Sequence, residues 1–178
     1  MFDEDLLKPF VLLGGLTASE LWPTINFILP TWLLLAFLPH WKYTPKVTLI
    51  GPLMHAVIYT LGVMSLLRDP THNEGKAPDM STFEGVVLLF QDPNGVFVGW
   101  IHYVVYDALI GRWIVLDSMD RGCSVLIHVL VIIPCLVLAL LFGPMGWLLY
   151  VVLIRTVVLP TTASTTTTTT NNKAIKRS

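Results

Sequence analysis

GWIHYVVYDALIGRW, residues Gly99 to Trp113, sets a histidine, two tyrosines, an aspartate, an arginine and two tryptophans inside an otherwise apolar chain. On a wheel of about 100° per residue, Gly99, Trp100, His102, Tyr103, Tyr106, Asp107 and Trp113 share one arc of about 160°. Ile101, Val104, Val105, Ala108 and Leu109 hold the opposite arc; Ile110 is the one aliphatic residue in the polar arc. Such segregation predicts a helix with one lipid-compatible face. A carboxylate at the centre of a membrane helix costs roughly 2.5 to 3.5 kcal/mol on insertion scales. The polar arc, with Asp107, is therefore expected to face the interior of a helix bundle, while Arg112 snorkels at the helix end.

The rest of the chain supports a membrane setting. Of its 178 residues, 54% are hydrophobic and 13% charged, against about 25% charged in an ordinary soluble domain. Mean hydropathy is +0.69. A net charge of −1 provides no basic field for nucleic acid. Cys123 and Cys135 are too few for a disulfide framework and lack metal-ligand spacing.

Working outward, the expected architecture is all-α: a multi-pass transmembrane bundle of about four spans plus a short interfacial or re-entrant helix. Residues 1–19 read as a lead-in and 20–155 as the membrane domain. Spans are expected at about 21–38, 47–67, 96–113 and 125–142, each close to the roughly 20 residues a bilayer core requires. Pro23 and Pro30 should bend or break the first span. Ser81 and Glu84 fit a capping box opening the short helix before Asp92-Pro93-Asn94-Gly95, and a charged loop is expected after Trp113. Gly143-Pro144 suggests a bent continuation from residue 142 to 154. Residues 156–178, rich in threonine, read as disordered. Lys and Arg divide evenly between the two sides of a four-span layout, leaving orientation open. The beginning MFDEDLLKPF has neither the basic region of a secretory signal nor the Arg- and Ser-rich character of a transit peptide. Two origins fit: insertion through the first membrane helix, or a presequence outside this chain.

Asp107, His102, Tyr103 and Tyr106 bring together a carboxylate base, an imidazole and two phenols, the parts of a proton-transfer site. The bland alternative is that they only join helices, through hydrogen bonds worth about 0.6 kcal/mol each. Trp100 and Trp113 suit interfacial anchors equally well. Glu20, Asn26 and Trp32 of the first span and His55 of the second stand where they can line the same cavity. His55, His102 and His128 lack ligand spacing, and no metal site is expected. No phosphate loop, Ser-His-Asp order or CxxC occurs.

Several segments carry a resemblance. ILPTWLLLAFLPHWKYT, FEGVVLLFQDPNGVFVGWIHYVVYDALIGRW and IIPCLVLALLFGPMGWLLY resemble, in the same order, the plant abscisic-acid-deficient-type membrane proteins required for neoxanthin synthesis. The resemblance covers most of residues 18–154. It implies a multi-pass plastid membrane protein, or one of another cellular membrane if the family function does not carry over. The implied reaction is violaxanthin to neoxanthin, opening a 5,6-epoxide to an allenic alcohol. This isomerisation changes no oxidation state and needs no cofactor. It requires an acid at the epoxide oxygen and a base at C7. His102, Tyr103, Tyr106 and Asp107 match the family's motif and are the candidate catalytic residues. Asn26, Trp32, His55, Trp100, Arg112 and Trp113 are candidate substrate contacts. Expected partners are membrane lipid, a carotenoid or xanthophyll, and other proteins of carotenoid synthesis. The competing function is a non-catalytic carotenoid-binding partner or scaffold.

Overall fold

The computed structural model describes residues 8–68 and 79–159. The polar loop and the Thr-rich tail expected from sequence fall largely or wholly outside these residues. The described chain is helical, with one isolated bridge between Phe10 and Leu16.

Helix α1 (Ala18–Phe37) starts earlier than expected because Thr17 and Glu20 form the capping box that had been anticipated elsewhere. Glu20 is consumed by this cap and does not reach a cavity; its Oε2 accepts from the Thr17 amide at 2.8 Å. The middle of α1, Trp22–Ile28, winds as a 3-10 helix between Pro23 and Pro30, since neither proline can donate to an α-helical ladder. After a turn through Trp41 and Tyr43 comes α2 (Thr44–Arg68). Short α3 (Phe83–Gln91) is capped by Thr82, whose Oγ1 accepts from Gly85 N–H at 3.1 Å. The cap is thus one residue later than the expected Ser81.

Asp92 caps α4 (Pro93–Asp120), accepting from Gly95 N–H at 3.1 Å. This helix has 28 residues and absorbs the charged loop expected after Trp113. It occupies the centre of the molecule, packing against α1, α2, α3 and both remaining helices. Close approach requires small residues: a Cβ on Gly62 of α2 would lie 2.9 Å from Val98, and one on Gly111 of α4 would lie 2.6 Å from the Trp32 ring.

Helix α5 (Val125–Phe142) contains a π-helical stretch at His128–Ile132, just before Pro134, a common way to absorb a ladder that proline interrupts. Gly143, at φ +34°, then turns the chain into α6 (Pro144–Val158). The expected bent continuation is replaced by a hairpin. Gly146 of α6 packs against the backbone of Ala139 and Cys135 in α5; an added Cβ would lie 2.6 Å from the Cys135 carbonyl. By length and apolar composition, α1, α2 and α5 can each cross a membrane. Helix α4 is long enough, but its polar residues keep it out of that set.

Candidate functional site

The wheel of α4 is reversed relative to expectation. Ile101 and Ala108 are 0% exposed and Val105 8%, whereas Tyr103 and Tyr106 are 57% and 55% exposed. The aliphatic arc is the packing face and the polar arc looks outward. The cause is α4's central position: helix contacts in an apolar medium are made by close van der Waals packing, which Ala108, Gly111 and the branched aliphatics provide. The bulky polar residues are left to the grooves between neighbouring helices.

One groove is a cavity of about 410 Å³ between α1, α4 and the α5–α6 turn. Asn26 and Trp32 enter from α1, Trp100, Tyr103 and Asp107 from α4, and Phe142, Gly143 and Pro144 close the third side. Trp100 meets Trp22 with ring centroids 5.9 Å apart. Tyr103 and Asp107 stand one helical turn apart on the same wall. Asp107 has no hydrogen bond or ion pair among the described residues, and its carboxylate lies directly against Gly143. An unpartnered carboxylate in a largely apolar cavity is costly to maintain and is free to accept a proton or a hydrogen bond from a ligand.

The other sequence candidates lie elsewhere. His102 and Tyr106 stack at 4.6 Å between ring centroids, and His102 also meets Tyr59 of α2 at 5.4 Å. These rings form an exposed aromatic ridge beside the cavity, outside its lining. His55 is buried: its Nδ1 lies 2.8 Å from the Gly51 carbonyl and its Nε2 3.1 Å from that of Thr24. It joins α2 to α1. Arg112 does not snorkel; its Nη2 donates to the Pro45 carbonyl at 2.6 Å and fastens α4 to the α1–α2 turn. Trp113 packs edge-on against Tyr150 at 5.5 Å, with the Arg155 guanidinium 5.8 Å from its ring centroid. His128 is likewise structural, its Nε2 3.0 Å from the Ala36 carbonyl. Among the described residues no group of His, Cys, Asp and Glu is arranged to hold a metal.

Sequence reasoning missed two features. Asp117 accepts from Arg121 Nε at 2.8 Å, Arg155 Nε at 3.0 Å and Tyr150 Oη at 2.7 Å. Only the Asp117–Arg121 pair, four residues apart on one helix, was readable locally. The contact of Gly143 with Asp107 joins positions 36 apart and left no local trace.

The fold and cavity define a class: a small all-helical protein with helices able to cross a membrane, holding a lone carboxylate in a groove lined by aromatic and aliphatic side chains. The chain belongs to the ABA DEFICIENT 4-like family, whose match spans residues 21–150. No curated protein and no solved structure matches it.

Proposed function

We propose that the protein is an epoxy-xanthophyll isomerase of plastid membranes, converting violaxanthin to neoxanthin. The observation that carries this reading is the convergence of Asn26, Trp32, Trp100, Tyr103 and Asp107 on one cavity, with Asp107 unpartnered. A carotenoid's length is comparable to the roughly 30 Å bilayer core, so a pocket of about 410 Å³ admits one end ring and leaves the polyene in lipid. A hydroxylated end ring entering an apolar groove loses hydrogen bonds to water; Asn26 and Tyr103 replace them.

Asp107 is the base and Tyr103 the acid. The carboxylate removes the proton on C7, and the electrons of that C–H bond become a second bond between C6 and C7. The C6–O bond of the epoxide breaks as Tyr103 donates its phenolic proton to the oxygen, which stays on C5 as a hydroxyl. The C7–C8 double bond is retained, so C6, C7 and C8 form the allene. The proton on Asp107 then returns to the Tyr103 phenolate, and no atom is gained or lost.

Purified protein in liposomes containing violaxanthin tests this reading by pigment chromatography. Neoxanthin should form without any other protein, be lost in Asp107→Asn and fall sharply in Tyr103→Phe. Pigment that co-purifies without conversion would replace the enzyme with a carotenoid-binding partner.

A further inference from the structure

The course of α5 and α6 relative to α4 has a consequence for the membrane. Helix α5 begins beyond the Arg121 end of α4 and runs antiparallel to it, with His128 at the Ala36 carbonyl and Leu136 beside Gly111. It stops at Gly143, against Asp107. From there α6 returns, placing Tyr150 at Trp113, Arg155 at Asp117 and the Leu159 carbonyl 3.2 Å from Arg121. Beyond Asp107, α4 continues for fourteen more residues to Pro93, about 20 Å at 1.5 Å per residue. Helix α2 also passes the turn, with Gly62 at Val98 and Ser65 bonded to Leu12. The Gly143–Pro144 turn therefore ends about halfway along the central helix, among Leu140, Leu141 and Phe142, all exposed and apolar.

We infer that α5 and α6 form a re-entrant hairpin, entering and leaving the membrane at the Arg121 end, whose tip floors the Asp107 cavity inside the apolar layer. The cavity then opens sideways to lipid in the half of the bilayer nearer Phe10 and Asn94, and takes a lipid-dissolved ligand from that leaflet. This follows from the helix placement alone and holds whatever ligand the cavity accepts. Non-helical backbone at membrane depth is tolerated where it is packed in protein or lines a cavity; the Gly143–Pro144 turn does both.

The hairpin also resolves the orientation that sequence left open. Arg155 moves to the Arg121 end, where Lys42, Lys46 and Arg112 also lie. Among the described residues, that end then carries five Lys and Arg against Lys8 and Arg68 at the other. By the positive-inside bias, the Arg121 end faces the compartment from which the protein inserts.

Single cysteines can be introduced into the wild-type chain, because Cys123 and Cys135 are 5% and 0% exposed. Lys42→Cys, Thr156→Cys, Val11→Cys, Met145→Cys and Asn26→Cys would be treated with an impermeant maleimide in right-side-out and inside-out membrane vesicles, and separately with a lipid-soluble pyrene maleimide. Lys42→Cys and Thr156→Cys should label from one side and Val11→Cys from the other. Met145→Cys at the tip and Asn26→Cys in the cavity should react with the lipid-soluble reagent alone. Labelling of Lys42→Cys and Thr156→Cys from opposite sides would overturn the hairpin in favour of a continuous crossing. Impermeant labelling of Met145→Cys from the Val11 side would make α5 a complete span. Impermeant labelling of Asn26→Cys would make the cavity a water-filled one. None of these outcomes depends on turnover, so they stand apart from the test of isomerase activity.

Discussion

Replacing Gly143 with alanine should uncouple the reaction from the fold, and a second glycine provides the control. Gly143 adopts φ +34°, a conformation that costs an L-residue on the order of 1 to 3 kcal/mol. Its added Cβ would also collide with the Asp107 carboxylate. Gly122 shares the first handicap without the second: it stands at φ +75°, with nothing within 4 Å of an added Cβ. Both Gly143→Ala and Gly122→Ala should therefore lower Tm by a comparable amount, roughly 2 to 4 °C per kcal/mol for a chain of this size. Only Gly143→Ala moves Asp107. Displacing a catalytic group by about 1 Å can cost about 100-fold in rate, so kcat should fall by about that factor while Gly122→Ala stays within about twofold. Neoxanthin formation in liposomes at several violaxanthin concentrations, with thermal unfolding in nanodiscs, gives both quantities. If the two variants lose activity equally, or Gly143→Ala keeps wild-type kcat, the carboxylate beside the hairpin tip is not the working base.

The Asp117 cluster should dominate the stability of the hairpin. Asp117→Ala leaves the Tyr150 hydroxyl buried without its acceptor, costing about 1 to 3 kcal/mol, while its partly exposed arginine pairs add about 0.2 to 1 kcal/mol each; Asp117→Asn, which retains an acceptor for Tyr150, should lose less. A double-mutant cycle of Asp117→Ala with Tyr150→Phe, read by unfolding in nanodiscs, checks this, and zero coupling would contradict it. His102→Ala and Tyr106→Phe should leave neoxanthin formation within about threefold of wild type, because both rings stand outside the cavity; complete loss in either would restore the aromatic ridge as a reaction site. Gly111→Ala should cost about 1 to 3 kcal/mol by overpacking Trp32, and a variant as stable as wild type would show that the α1–α4 contact has room to spare.

What the sequence disclosed and concealed follows from the range over which each signal acts. Prolines at 23 and 30 announced an irregular first helix because a missing N–H acts on its own turn. Gly143-Pro144 announced a break for the same reason, yet whether the chain bends or reverses depends on what waits to receive it. Gly146 against Cys135 and Arg155 against Asp117 decide that, and neither contact has a local signature. The reversed wheel of α4 carries the sharper lesson. Periodicity separated the two arcs correctly, but the step from polar to inward assumed an outer helix with lipid on one side only. A central helix with neighbours all round buries the arc that packs best, and its polar groups come to lie in the seams between partners. Of the four residues grouped on one polar face, Tyr103 and Asp107 fall in the seam that α1 and the hairpin close, and His102 and Tyr106 in the seam toward α2. Chemistry alone made the four equivalent. The hairpin tip makes them unequal, since only Tyr103 and Asp107 share an enclosed space with Asn26 and Trp32, and only there can a base and an acid act on one bound ring.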